Sequence, residues 1–261
     1  MALHYDIDEG VAVLTLDRQE TLNAFDDELG KDLLDALQEA SVAPSVRCVA
    51  ITGAGRAFSS GEDLNKLSEG YARGEPPDLG RILSHRYNPL VRTIRSLPKP
   101  VVAAVNGVAA GAGAAVALAC DTRIAAESAK LVFPFAKVGL IPDSGSLWLL
   151  ARMVGASRAW DIVSSGRTID AHEAQELGLF SRIAPSGRFE AVWRGFAREL
   201  AEGPPIALRL TKQLLSASLD RNLDDQLEAE TEAQDEAGRS ADHLEGVRAF
   251  QEKRPARFTG A

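Results

Sequence analysis

Two segments of this chain repeat one local plan: a buried strand, a turn of small residues, then residues that favour a helix. Val46-Arg-Cys-Val-Ala-Ile-Thr52 reads as a buried strand that feeds a glycine turn and then Ala57-Phe-Ser-Ser-Gly-Glu-Asp-Leu64. Val101-Val-Ala-Ala-Val105 likewise feeds Asn106-Gly-Val-Ala-Ala-Gly-Ala-Gly113. Strands alternating with helices predict an α/β fold. Small residues let a ligand approach the backbone, and the first N–H groups of a helix have no partner within it. Two such turns facing each other would form an oxyanion hole, although a single glycine-rich turn more often serves only a tight turn or close packing.

The rest of the chain fits this frame. Residues up to Ile7, a turn at Glu9-Gly10 and Val11 to Leu16 read as a hairpin. Leu29, Leu33, Leu37 and Ala40 recur at helical spacing, which predicts a helix from Asp26 that ends before Pro44. Residues 53–68 pass from turn to helix, 70–80 read as a mobile surface loop, and a long helix is expected over Leu83 to Leu97, stopped by Pro98 and Pro100. Short strand-like runs follow at Thr122 to Ala125 and Lys130 to Phe133. Helices are expected over 145–153, 157–165, 171–177, 188–201, 205–218, 222–236 and 240–253. The expected organisation is an α/β core over residues 1–200 and a helical region over 201–261.

Composition excludes several function classes. The 261 residues carry a net charge of -8, which argues against a nucleic-acid or anionic-membrane surface. Cys48 and Cys120 lie far apart in apolar runs and read as buried free thiols, which suits a reducing cytoplasm. The N-terminus has no basic and apolar leader pattern, and the small-residue stretch 101–120 is broken by Asn106 and glycines, so neither a signal peptide nor a membrane span is expected. Gly53-Ala-Gly-Arg-Ala-Phe58 lacks the third glycine of a dinucleotide fingerprint. His4, His85, His172 and His243 are scattered, so no metal site is expected, and no G-x-S-x-G elbow is present.

The segments AFSSGEDL, KPVVAAVNGVAAGAGAAVALACD and KVGLIPDSGSLWLLARMVG resemble those of the crotonase superfamily of enoyl-CoA hydratases and isomerases. The likeness runs from DRQETLNAF through GRTIDAHEAQELGLFSRI to EGVRAFQEKRPARFTG. It implies a spiral of ββα units with a helical C-terminal trimerisation region, and assembly as a homotrimer or dimer of trimers. The substrate it implies is an acyl-CoA thioester, with coenzyme A entering as part of the substrate and no permanently bound cofactor. It places the two backbone donors of the oxyanion hole at Ser60 and Ala112. Substrate and CoA contacts fall at Arg18, Ser60, Gly61, Glu62, Asp63, Ala112, Phe250 and Lys253.

The positions that hold the two water-activating glutamates of hydratases are Ala115 and Phe135 here. Neither side chain moves a proton, so the resemblance implies isomerisation over hydration. The subgroup without both glutamates uses the aspartate of the PDSG motif, here Asp143, as its acid/base group. It includes isomerases of phenylacetate catabolism, and implies conversion of a ring epoxide to an oxepin or double-bond shifts in unsaturated acyl-CoAs. A hydratase-like enzyme on aliphatic acyl-CoA and a non-catalytic acyl-CoA-binding scaffold remain as alternatives.

Read without the resemblance, several of these residues have plainer uses. Asp143 precedes Ser-Gly-Ser-Leu-Trp and reads equally as a helix N-cap; capping would lower its pKa, while burial by Phe135 and Trp148 would raise it. Arg18 reads as a solvated charge, and Glu62 beside Asp63 as solvent-facing or as a reserve base. His85 and Tyr87 line the acyl pocket or only pack. Phe250 and Lys253 also suit an ordinary amphipathic helix.

Overall fold

The computed structural model describes residues 2–261. The chain opens with an antiparallel hairpin of β1 (Leu3–Asp8) and β2 (Val11–Leu16), turned at Glu9 and Gly10, both with positive φ. Helix α1 (Asp27–Val42) follows, capped by the Asp26 carboxylate, which accepts the Leu29 N–H at 2.9 Å. Strand pairs then alternate with helices. β3 (Cys48–Gly53) and β4 (Ala57–Ser59) precede α2 (Leu64–Ala72), α3 (Leu79–Ile82), a π turn over Leu83–Tyr87 and α4 (Asn88–Ser96). β5 (Val101–Val105) and β6 (Val108–Ala110) precede α5 (Ala112–Ala119). β7 (Thr122–Ala126) and β8 (Lys130–Val132) precede a 3-10 turn over Pro134–Val138, α6 (Ser146–Val154) and α7 (Ala156–Ser165). After β9 (Thr168–Asp170), α8 (Ala171–Glu176) and β10 (Arg182–Ala184), the chain ends in α9 (Phe189–Glu202), α10 (Pro205–Ser218), α11 (Leu223–Gly238) and α12 (Ala241–Glu252).

The first strand of each pair enters a six-stranded sheet ordered β1-β2-β3-β5-β7-β10, and the second enters a four-stranded sheet ordered β4-β6-β8-β9. Three successive strand pairs thus climb between two sheets, the spiral that the sequence likeness implied. The larger sheet is buried on both faces, as its period-2 pattern requires. Leu14, Leu16, Val49, Ile51, Val101 and Val105 face the main core, while Val11, Val13, Ala50, Val102 and Ile124 face Trp193 and Ala197 of α9.

The corner between β3 and β4 is fixed by two asparagine side chains. Asn23, fully buried, donates to the carbonyls of Ala54 (2.9 Å) and Ala57 (2.8 Å) and accepts from the Arg18 N–H. Asn106 donates to the carbonyls of Gly55 and Ala57 at 3.0 Å each and accepts from the Gly53 N–H. The backbone passes so close here that a methyl group at Gly107 would sit 2.1 Å from the Arg56 carbonyl oxygen.

Several boundaries differ from the sequence reading. The segment 70–80 is not all loop: α2 continues to Ala72, and α3 starts at Leu79, four residues before the helix expected at Leu83. Neither α2 nor α3 has a fully buried residue, so periodicity gave no strong signal there. The three-residue strands β4, β6, β9 and β10 were not foreseen, because three residues are too few to show an alternation. The helical C-terminus is as expected, and Cys48 and Cys120 are buried free thiols whose pKa is pushed up to about 12 by burial. No helix among the described residues is long and apolar enough to cross a membrane.

Gly107→Ala should destabilise the fold by about 1–3 kcal/mol, the usual cost of forcing a methyl into a filled space. Urea unfolding of the variant beside the wild type checks this; an unchanged midpoint would contradict the close approach described above.

Candidate active site

The corner segments converge on one cavity of about 220 Å³. Its wall is mostly apolar, with Leu67, Leu79, Ile82, Leu83, Phe135 and Leu140 among the lining side chains. The polar groups are few: Ser60 and Glu62 from the turn after β4, Tyr87 from the π turn, and Asp143 from the loop before α6. An apolar cleft with a few convergent polar groups is the ordinary form of a small-molecule site.

Two stretches of backbone come close together across the junction of β4 and α5. Gly61 has φ +93°, and a methyl there would sit 2.8 Å from the Ala110 carbonyl and 3.3 Å from the Ala112 nitrogen, so only glycine permits this approach. Ala112 is the first residue of α5, where an N–H has no intrahelical acceptor.

The second donor differs from the expected one. The Ser60 N–H is donated to the Leu22 carbonyl at 2.9 Å and its hydroxyl to the Thr21 carbonyl at 2.8 Å. Both donors of Ser60 are therefore occupied, and the expected role of its N–H is corrected. Phe25 pairs with the next stretch through the Gly61 carbonyl and the Asp63 N–H, which leaves the Glu62 N–H free of acceptors among the described residues. In a regular strand the N–H groups of 60 and 62 would point the same way. The positive φ at Gly61 separates them, and no pattern in the sequence reports that. The Glu62 and Ala112 N–H groups are thus two backbone donors at this junction without an acceptor among the described residues.

Asp143 is half-buried in the cavity wall. It is not a helix cap: α6 begins at Ser146 with Gly145 as its N-cap, after two left-handed residues, Ser144 (φ +52°) and Gly145 (φ +74°). The Asp143 backbone carbonyl accepts the Ser146 N–H at 2.8 Å and hydroxyl at 2.6 Å, so the peptide is fixed while the carboxyl stays available. Burial raises the pKa of Asp143; the Ser144 hydroxyl, donating at 2.8 Å, opposes that, and the charge of Glu62 adds to it. Trp148 takes no part, since it is exposed and stacks on Arg152.

Glu62 is not solvent-facing. Arg86 Nη1 donates to both of its carboxylate oxygens, at 2.8 and 2.7 Å, and the Tyr87 hydroxyl donates to Oε2. Burial, then the Glu62 charge, raises the Tyr87 pKa well above its ordinary value. Arg86 also pairs with Asp27 of α1, and its aliphatic shaft lies over Gly30, where a methyl would stand 2.5 Å from Cγ. Consecutive residues of the π turn thus reach one carboxylate, in keeping with the habit of π bulges to occur at functional sites. The sequence reading missed Arg86 altogether, because a π turn has no residue signature. His85 is exposed, with its ring at 3.0 Å from the Arg81 carbonyl, and does not line the cavity.

Arg18 and Asp63 are paired with each other within the fold. Arg18 is no solvated charge: it donates to the Ala24 carbonyl at 2.6 Å and to Asp63 at 3.1 Å, and lies 3.3 Å from Asp26. Burial would raise the Asp26 pKa, but the Leu29 N–H, Lys66 and Arg18 together hold it below the usual range. Neither Arg18 nor Asp63 lines the cavity. Phe250 is 86% exposed and Lys253 ends α12 in a left-handed conformation, both outside the cavity of their own chain.

Residues 6–261 match the family described as enoyl-CoA hydratase/isomerase. Among individual relatives, the chain is 45% identical to the 1,2-epoxyphenylacetyl-CoA isomerase of Escherichia coli, over 97% of each chain. It is also 45% identical to a probable enoyl-CoA hydratase of Rhodobacter capsulatus, over 99% of this chain and 98% of the other. The crystal structure of an enoyl-CoA hydratase from Bacillus anthracis superposes with a TM-score of 0.92, at 32% identity and with all of both chains covered. This chain therefore belongs to the enoyl-CoA hydratase/isomerase family, whose members act on acyl-CoA thioesters.

Proposed function

We propose that this enzyme isomerises its acyl-CoA substrate without adding water, and that the substrate is 1,2-epoxyphenylacetyl-CoA or an unsaturated acyl-CoA of similar bulk. The acid–base inventory of the cavity carries this reading. Of the two positions matching hydratase glutamates, Ala115 is fully buried in α5 and Phe135 is part of the apolar wall. Hydration needs groups that deliver a hydroxyl and a proton to adjacent carbons, whereas isomerisation needs one group that lends and returns a proton. Asp143 suits the second task. A raised pKa makes its carboxylate a stronger base and keeps its acid form within reach.

In this mechanism the thioester oxygen lies between the Glu62 and Ala112 N–H groups, which stabilise negative charge there. Asp143 takes the α-proton, and the C–H bonding pair enters the enolate. Returning the proton at the γ-carbon moves the double bond, with no atom gained or lost. Oxepin formation from the epoxide is also an internal rearrangement, and the apolar wall excludes water from it. The equal identity to a relative named a hydratase supports, as the second reading, hydratase-like activity on aliphatic acyl-CoA. The working form on our reading is a cytoplasmic trimer or pair of trimers, in which Phe250 and Lys253 reach the CoA moiety bound by a neighbouring copy.

The decisive experiment incubates the protein with trans-3-hexenoyl-CoA, crotonyl-CoA and enzymatically generated epoxyphenylacetyl-CoA, and follows products by mass and absorbance. Isomerisation without water addition is the expected result, and hydration of crotonyl-CoA would sink the reading. Asp143→Asn should lower turnover by about 10²–10⁴-fold, the usual worth of a general acid/base. Because the fold raises the Asp143 pKa, its stabilising effect is present below the unfolded value near about 3.9 and lost as pH rises through the folded value. Asp143→Asn should therefore melt no lower than wild type at neutral pH, with its relative advantage shrinking toward about pH 4. Gly61→Ala should cost about 10²–10³-fold in kcat by displacing the hole, a loss that steady-state kinetics would read directly.

A further inference from the structure

Besides Asp143, the cavity wall contains one other carboxylate, Glu62, and no cationic side chain among the described residues. Glu62 is held unusually firmly for a residue on a turn. Arg86 grips both of its oxygens, Tyr87 donates to one of them, and the guanidinium, itself 9% exposed, is anchored on its far side by Asp27. Arg86 does not line the cavity, so Glu62 stands between that cation and the cavity. A buried ion pair is a weak source of stability compared with apolar packing, so its presence in a substrate cavity calls for another use.

We propose that Glu62 is a positioning residue for Asp143: its fixed charge, across the same cavity, sets the pH range over which Asp143 exchanges a proton with the acyl group. The inference rests on Asp143 being the proton carrier. The titratable groups in the cavity wall with Asp143 are Glu62 and Tyr87; Ser144 donates to it from its own turn, and Arg86 and Asp27 stand behind Glu62. A second negative charge is harder to place beside the first, which is the sense in which Glu62 acts on Asp143. Arg86 moderates the effect, and the clamp keeps it constant by preventing the carboxylate from swinging away.

The test is the pH dependence of kcat/KM for isomerisation of trans-3-hexenoyl-CoA. Glu62→Gln keeps the side chain's shape and removes its charge, and should move the limb governed by Asp143 toward acid by about half to one pH unit. Glu62→Asp, which keeps the charge, should restore the limb at least in part. A lowered kcat with an unmoved limb would mean that Glu62 is only structural and would overturn the proposal. Should Glu62→Gln fail to fold, Arg86→Gln leaves the Glu62 charge uncompensated and should move the limb toward base; an unmoved limb there overturns it equally. If wild type does not isomerise, or Asp143→Asn retains full turnover, the functional reading fails by itself. Titration of carboxyl-labelled Asp143 by carbon-13 NMR still reads the coupling in that case: a midpoint displaced toward acid by Glu62→Gln supports it, and identical midpoints overturn it.

Discussion

The site depends on the contact between two stretches of backbone, residues 59–62 and 110–113. β4 and β6 run parallel side by side, with Ala57 opposite Val108 and Ser59 opposite Ala109. At their ends the chains come closer than side chains permit: a methyl at Gly113 would stand 2.6 Å from the Ser59 carbonyl, and one at Gly61 would strike Ala110. This approach brings the start of α5 beside the turn at Glu62 and so juxtaposes two unpaired N–H groups. The glycines make the approach sterically possible, and the amide staples of Asn23 and Asn106 hold the preceding corner in register.

Much of this architecture was legible in the sequence because it rests on long or unusual signals. The buried strands β3 and β5, the amphipathic α1 and the C-terminal helices all follow from periodicity. Of the second sheet only β8 was legible, as the run Lys130 to Phe133; β4, β6 and β9 have three residues each and borrow their stability from neighbours distant in sequence. In the site, Ala112 and Asp143 could be named from motif likeness. That the Ser60 N–H is spent while the Glu62 N–H is left free could not, since it turns on one backbone dihedral at Gly61 and on a hydrogen bond to Leu22 some forty residues earlier. The same limit explains Arg18 and Glu62. Each looked exposed beside polar neighbours, and each is paired through contacts that only the folded chain creates.

The electrostatic layout separates two uses of charge. Arg18, Asp26, Asp63 and Lys66 form a paired cluster that binds the α1 start to the turn after β4. In that cluster every carboxylate has a cation and the net effect is to fasten segments together. In the cavity the balance is different: Asp143 has only a serine hydroxyl, and burial raises the cost of its charge. That incomplete satisfaction leaves the Asp143 carboxyl readier to accept a proton than a fully paired carboxylate. The fold tolerates one under-satisfied acid just before two left-handed residues, Ser144 and Gly145, with its own backbone carbonyl accepting two hydrogen bonds from Ser146.

Gly30 lies on α1, outside the cavity, in a helix where alanine would ordinarily be favoured by about 1 kcal/mol. Its hydrogen leaves the groove through which the Arg86 shaft passes on the way to Glu62. The identity of a helix residue is therefore tied to that of a carboxylate it never touches. In a chain where position 62 lost its acid, Arg86 would keep only its pairing with Asp27, and the open groove at Gly30 would serve that pair alone. The side chains at 62 and 86 and the missing one at 30 are one packing arrangement, so a change at any of them alters the fit of the others.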